Sequence, residues 1–466
     1  MNRRDFSKNL GLASGLLGIG ALQACTSGTK ETTPSNSTPI TPEGHSKTSS
    51  ELAKRMYDKA LEITRSKVRG GADEAFFKEP FIDAAFNDNI FLWDTCFMCC
   101  FCKYHLDELP VYQALDNFYG RMEADGFICR EYRSNGEALW PKEHAVSINP
   151  PVLAFAELEI FAVNPDLERL KKVYPTLKKN FEFHVDRYLM EDNLFYGDTM
   201  GLGMDNIPRS PRGWEPAEGE GNGWTHHELG RQLASMNVSD EEKLNFFVRE
   251  YPNTKTGVWN KQGRQIDFTA QMAMYALQLK EIATKIGQEA DIPAYDAFHA
   301  KVKTAVNELC WSEEDGFYYD LGFGEQIPRR HIGMYWALLG GLVPEDRMAK
   351  FLAHLKDPNE FYRRTPLPAL SAADPDYVGW GDYWLGGVWA PTVYMVLKGL
   401  SAVGEDALAK DLATKVYDNV AEVFEATGTF WENYAPDLVS YGMPAKLDFC
   451  GWTALIPISV YKEYIV

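Results

Sequence analysis

Two stretches far apart in the chain each set one carboxylate among glycine, proline and aromatic residues. Gly203-Met204-Asp205-Asn206-Ile207-Pro208-Arg209 carries Asp205, and Trp431-Glu432-Asn433-Tyr434 carries Glu432. Both read as loops between helices. A carboxylic acid and a carboxylate on opposite sides of a sugar ring are the minimum equipment for cutting a glycosidic bond. A general acid must keep its proton at working pH, which an apolar wall favours. Met204, Ile207 and Trp214 are placed to form that wall around Asp205. Glu432, between Trp431 and Tyr434, is placed to activate a water held against a stacked sugar. Each carboxylate alone has a plainer reading: an Asp that hydrogen-bonds its own turn, and a Glu on a solvated rim. The pair matters only if the fold brings residues 205 and 432 together.

Three further segments carry groups suited to holding a sugar. Trp93-Asp94 opens an apolar run, where Asp94 either caps a helix or accepts hydrogen bonds from hydroxyls beside the Trp93 ring. Ser147-Ile148-Asn149-Pro150-Pro151 sets the Asn149 amide at a helix start, again as a cap or a sugar contact. Gly381-Asp382-Tyr383-Trp384-Leu385-Gly386-Gly387-Val388-Trp389-Ala390-Pro391 has two tryptophans, Trp384 and Trp389, and a glycine pair that lets a backbone approach a ligand closely. For each, core packing and capping compete with sugar binding.

These segments must be positioned by helices. Phe268, Met272, Tyr275, Leu279, Ile282 and Ile286 recur at spacings of three and four, and so do Leu408, Leu412, Val416, Val420 and Val423. The pattern predicts helices near 51–66, 91–104, 109–121, 147–163, 167–188, 266–287, 292–310, 331–340, 344–354, 384–402, 405–424 and 452–464. Pro150 and Pro151 suit the first turn of the fourth. Strand patterns are nearly absent, with Gly316 to Asp320 the best small candidate. Many helices without a β framework or a fixed-length repeat point to an all-α (α/α) toroid. The longest irregular stretches, 189–238, 311–330, 356–383 and 425–450, contain most of the unusual residues.

Residues 1–25 read as an export signal: a twin-arginine start at Arg3-Arg4, a short apolar run, then Leu22-Gln23-Ala24-Cys25, a bacterial lipobox that would leave Cys25 lipidated. Residues 26–50, rich in Ser, Thr, Pro and Gly, are expected to form a flexible tether. Residues 51–466 are expected to form a single domain. The mature protein is thus expected outside the cytoplasm, facing the periplasm and held to the membrane only through its N-terminal lipid. The formal charge of −19 argues against nucleic acid and anionic surfaces as ligands. With aromatic residues at 13%, a neutral carbohydrate is the expected partner. The run Cys96-Phe97-Met98-Cys99-Cys100-Phe101-Cys102 reads as buried free thiols on an apolar helix, since no second Cys/His cluster accompanies it for a metal. No metal site and no cofactor is expected.

In their order along the chain these motifs resemble the trehalase and glycoside hydrolase family 63 group. The resemblance runs over most of the sequence after residue 90: Trp93-Asp94 with Phe97, Asn149-Pro150-Pro151, Asp205 with Arg209, Trp384 to Trp389, Glu432 with Tyr434, and Gly451-Trp452-Thr453. It implies an (α/α)6 barrel and an inverting exo-acting α-glycosidase, α-glucosidase-like, on a small glycoside or an oligosaccharide end. It also implies Asp205 as general acid and Glu432 as general base. Trp93, Asp94, Asn149, Arg209, Trp384, Trp389 and Tyr434 would line the site. Where the trehalase pattern has arginines, this chain has Phe86 and Val146, and Asn149 replaces a Gln, which counts against trehalose itself. The chain looks closer to the broader α-glucosidase and mannosylglycerate-hydrolase relatives. Rival readings are a non-catalytic glycan-binding lipoprotein on the same scaffold and a polysaccharide lyase, the latter disfavoured by the acidic charge.

Overall fold

Helices buried over most of their surface alternate along the chain with helices buried along one stripe, and this difference sorts them into two rings. The computed structural model describes residues 46–466 apart from 71–76, 78, 85–88, 141, 143–144, 210–231, 233–234, 240–241, 244, 247–262 and 450. Cys25, the twin-arginine start, most of the tether, Phe86 and Trp214 therefore lie outside the described residues. Gly44–Val466 forms one compact unit.

The inner ring consists of α2 (Leu92–Cys102), α4 (Leu153–Val163), α6 (Ile266–Ile286), the single-turn α8 (Trp336–Leu339), α10 (Ala390–Ala402) and a terminal π-helix, Ile456–Ile465. Each packs on the next, and the terminal helix returns to α2 to close the circle. Helices walled by neighbours on all sides must be apolar all round, and every residue of α2 is buried. The outer ring is α1 (Ser50–Ser66), α3 (Val111–Tyr119), α5 (Leu167–Tyr188), α7 (Ile292–Ala305), α9 (Glu345–Ala353) and α11 (Asp406–Thr427). These bury one stripe; in α7 it is reduced to Tyr295, Val302 and Ala305. The architecture is an (α/α)6 barrel, as the helix pattern and the resemblance implied.

Several expected boundaries move. The outer helix expected over 405–424 runs on to Thr427, and the α-helix expected over 292–310 ends at Ala305. The segment expected over 452–464 is a 3-10 turn and then the π-helix from Ile456. Three further shifts fall at inner-ring N-termini. The helix expected over 147–163 begins only at Leu153, so Pro150 and Pro151 precede it instead of opening it. The helix expected over 384–402 begins at Ala390, because Asp382 and Tyr383 take left-handed backbone at φ 32° and 64°. The segment expected as one helix over 331–340 is a 3-10 turn, Ile332–Tyr335, and then α8. The described strands are two-residue pairs; Phe317–Tyr318, within the expected 316–320, pairs antiparallel with Trp311–Ser312.

The C-terminal ends of the inner helices converge on a charged floor. Lys103 Nζ lies 2.5 Å from Glu159 and 2.8 Å from Glu463; Lys398 Nζ lies 2.7 Å from Glu159, and the Tyr394 hydroxyl donates to Glu159 at 2.6 Å. Lysines suit this end, where helix dipoles are negative. Burial works against the Glu159 charge, but Lys398 and Lys103 outweigh it and hold the carboxyl down at about 2. A depressed folded-state value contributes stability that is complete above the ordinary 4.5 and is lost as pH falls through about 2. Acid unfolding followed by circular dichroism should therefore be shallower between those limits in Glu159→Gln, which starts less stable at neutral pH, than in the parent.

The described cysteines, Cys96, Cys99, Cys100, Cys102, Cys129 and Cys310, are free and buried. Cys100 Sγ turns back to the Cys96 carbonyl at 3.3 Å. The cluster is helix packing, as an apolar inner-ring helix requires.

Candidate active site

The opposite rim, formed by the N-terminal ends of the inner helices, gathers the residues that the sequence singled out. Each such end presents unpaired N–H groups and the positive pole of a helix dipole, so acceptors and carboxylates collect there. At the start of α2, the Trp93 N–H donates to Asn149 Oδ1 at 3.2 Å, and Asn149 Nδ2 donates to the Gly201 carbonyl at 3.1 Å. Asn149 is thus a cap, but of a neighbouring helix, and it ties that helix to the loop before Asp205. Trp93 packs edge-on to Phe97, 4.9 Å between centroids, and its indole Nε1 is buried without a partner among the described residues. Asp94, in the first turn of α2, is buried against Gly451, where any Cβ would collide with Asp94 Oδ1.

The Asp205 loop is a series of tight turns. Asp198 accepts from the Met200 and Gly201 N–H groups at 2.9 and 3.0 Å, and Met204 and Ile207 are buried beneath as apolar anchors. Asp205 itself is half-buried and accepts a hydrogen bond from the Tyr383 hydroxyl at 3.3 Å. Its neighbour Asn206 is a two-sided clamp. Its Oδ1 accepts from Trp384 N at 2.8 Å and its Nδ2 donates to the Asp382 carbonyl at 3.1 Å.

Arg209 closes the loop from below. Its Nη1 reaches Asp267 Oδ1 at 3.1 Å and Asp320 Oδ2 at 2.9 Å, and its Nη2 pairs with the second Asp267 oxygen. Asp320 also accepts from Ile266 N at 2.8 Å, capping α6, and lies 3.2 Å from His331 Nε2. Burial disfavours the Asp320 charge, yet Arg209 and His331 hold its carboxyl below the usual range. The Arg209 guanidinium is therefore committed chiefly to buried carboxylates, with Nε left over. Asp267, Asp320 and His331 carried no signal in the sequence: an Asp at a helix start and an Asp beside a short strand are common, and only tertiary packing pairs them with Arg209.

Glu432 is not a rim carboxylate. It is 5% exposed. Its Oε2 accepts from Lys446 N at 3.2 Å, its own N–H donates to the Lys446 carbonyl at 2.8 Å, and its carbonyl accepts from Trp452 Nε1 at 2.8 Å. Tyr434 is 1% exposed and its hydroxyl accepts from Trp431 N at 3.4 Å, so it braces the Glu432 loop from within. Trp431 stacks on Tyr441, 3.7 Å between centroids.

Both carboxylate loops are fastened to one strip, Asp382 to Val388. Asp205 and Asn206 are held at its start by Tyr383, Asp382 and Trp384. Val388 pairs with Tyr434, with N–H···O distances of 2.9 and 3.0 Å in the two directions. Within the strip Trp384 stacks face to face on the adjoining Trp389 at 4.1 Å and 5°, both buried; Tyr383 and Trp452 lie edge-on to Trp389 at 5.0 and 5.8 Å. The glycine pair serves protein packing: a Cβ on Gly386 would collide with the Val378 carbonyl oxygen, and one on Gly387 with that of Tyr383. The close approach expected there toward a ligand is an approach of the chain to itself. Left-handed backbone at two non-glycine residues, Asp382 and Tyr383, is strain of the kind that collects at functional sites. Tyr383 and Asn206 stood in the quoted motifs, but nothing in the sequence paired them with Asp205 and Trp384.

Two concentric rings of paired helices, with the Asp205 and Glu432 loops gathered at one end, define the class as an (α/α)6 barrel with its candidate active site at the N-terminal rim of the inner ring. The sequence model of the mannosylglycerate hydrolase MGH1-like glycoside hydrolase domain matches residues 90–440, and the chain belongs to that family. A probable mannosyl-oligosaccharide glucosidase of Schizosaccharomyces pombe is 29% identical over 408 residues, 80% of this chain and 48% of that protein, so this chain spans about half of that relative. The family 63 mannosylglycerate hydrolase of Thermus thermophilus, solved in complex with glucose, superposes with a TM-score of 0.64 at 21% identity, over 87% of this chain and 99% of that one. The neutral trehalase of Saccharomyces cerevisiae superposes with a TM-score of 0.59 at 14% identity, over 82% and 74% of the two chains. At those identities the two structures share the fold.

Proposed function

We propose that this member of a glycoside hydrolase family is an inverting, exo-acting α-glycosidase, α-glucosidase-like, with Asp205 as general acid and Glu432 as general base. The observation that carries this reading is the common anchorage of the two carboxylate loops on the strip Asp382 to Val388. In the reaction, Asp205 gives its proton to the glycosidic oxygen as the C1–O bond breaks, and Glu432 takes a proton from the water attacking C1 from the opposite face. Asp205 is left ionised and Glu432 protonated, and solvent returns the proton between turnovers. Trp93 and Trp389 keep buried indole N–H groups without a described partner, suited to donating to sugar hydroxyl oxygens. Asp94 stands beside the Trp93 indole in the chain, while Asn149, Arg209, Trp384 and Tyr434 hold the walls. The relatives' names, a mannosylglycerate hydrolase and a probable mannosyl-oligosaccharide glucosidase, support glycosides of mannose or glucose as the substrate class. The N-terminal motifs support export as a lipoprotein anchored through Cys25.

Proton NMR of the sugar first released from α-glucosides, α-mannosides and mannosylglycerate tests the mechanism. The β anomer should appear first and then mutarotate; the α anomer as first product would rule out inversion. Turnover itself separates this reading from a non-catalytic glycan binder, which the family match already disfavours.

A further inference from the structure

Four of the most exposed large apolar side chains stand together beside the Asp205 end of the strip. Trp380 is 56% exposed and Met443 57%, and Leu438 and Val439 are also exposed. Backbone hydrogen bonds join their segments: Met443 N to the Trp380 carbonyl at 3.2 Å, and Asp437 N to the Gly379 carbonyl at 3.2 Å. The same rim runs directly into the candidate site, because Tyr383 N donates to the Met443 carbonyl at 3.0 Å and the Tyr383 hydroxyl holds Asp205. Exposed apolar side chains gathered next to a site mark binding.

The reaction direction says what would lie there. A general acid delivers its proton to the leaving-group oxygen, so the leaving group must sit on the acid's side of the cleaved bond. Trp380, three residues before the Tyr383 that holds Asp205 and exposed, is placed to meet what continues beyond that oxygen. We infer that Trp380 and Met443, flanked by Leu438 and Val439, form a stacking platform for a neutral pyranose ring of the leaving group, so that the substrate is an oligosaccharide end and not the glycoside of a small charged acid. A pyranose presents a face of C–H groups, which an exposed indole covers well. Two cations nearby are already engaged: Arg363 Nε with Asp437 at 2.8 Å, and Arg329 with Asp374 at 2.8 Å and with Asp376. A carboxylate on the leaving group would find no open counter-charge in those two arginines.

The inference rests on the assignment of Asp205 as acid, and its test separates the two. In the full chain, kcat/KM is measured for maltotriose against methyl α-glucoside and for α-mannotriose against methyl α-mannoside. Trp380→Ala should lower the trisaccharide-to-methyl-glycoside ratio by about tenfold, mainly through KM, and Trp380→Phe should restore most of it. In parallel, trisaccharide affinity is read by fluorescence titration in Asp205→Asn with and without Trp380→Ala, and should weaken by a similar factor. An unchanged ratio with unchanged affinity overturns the platform. So does a Trp380-dependent dimer or Trp380-dependent vesicle binding with the ratio intact, since the patch would then be an interface. An active Asp205→Asn protein overturns the acid assignment instead, and leaves the ratio to judge the platform.

Discussion

Glu432→Gln and Asp205→Asn are each expected to give a folded protein whose activity has dropped by about 10²–10⁴-fold. The two substitutions are nearly isosteric. A glutamine oxygen at 432 can still accept from Lys446 N, and an asparagine oxygen at 205 can still accept from the Tyr383 hydroxyl, so the hydrogen bonds that hold the loops survive. What disappears is the capacity to take a proton at 432 and to give one at 205. The two variants should then part company on a substrate whose leaving group departs without protonation, such as a glycosyl fluoride. Asp205→Asn should recover much of its rate there, and Glu432→Gln should not, because water must still be deprotonated. Melting curves matching the parent, with steady-state rates on both substrate types, check this. Full activity in either variant would remove that residue from the mechanism.

The second large effect is on stability. Arg209→Met should destabilise the protein by about 3–5 kcal/mol, because it leaves Asp267 and Asp320 buried without their shared cation. Arg209→Lys should recover part of this, since a single ammonium cannot engage two carboxylates with the guanidinium's fixed fork. The pH dependence has a definite sign. Arg209 and His331 hold the Asp320 carboxyl below the ordinary range, so this contribution is present above the unfolded-state value and is lost as pH falls. The gap between parent and Arg209→Met should therefore narrow on acidification. Denaturant melts at neutral and acid pH measure it; a loss under about 1 kcal/mol at neutral pH would mean that the cluster is solvated and not buried.

The outer ring and the long helices were legible because their apolar residues recur at helical spacing over many turns. The helix expected over 167–188 has those bounds, and the one expected over 266–287 ends one residue earlier, at Ile286. Inner-ring N-termini were harder to read. Before α4 and α10 the chain is held extended or left-handed by contacts to other loops, and no local propensity encodes those contacts. The site followed the same division. Asp205 and Glu432 stood out through their company of Gly, Pro and aromatic residues, but the Glu432 side chain is buried, where its surroundings had also allowed a solvated rim. Asn149, which read as either a cap or a sugar contact, caps a neighbouring helix, and Arg209, which the resemblance placed at the site, neutralises two aspartates.

The closed circle has a kinetic meaning. The seam joins parts of the chain that are nearly as far apart in sequence as the domain allows: Ser459 Oγ donates to the Cys100 carbonyl at 3.0 Å, and Ser46 Oγ donates to Asp418 at 2.5 Å. Each helical hairpin can form from neighbours in sequence, but the loop entropy of closing the ring is recovered only when its two ends meet. Until then the strip from Asp382 to Val388 has no complete rim to sit on. Secondary structure can accumulate hairpin by hairpin, whereas the active arrangement depends on a single long-range event, which makes activity a stricter gauge of native closure than helicity.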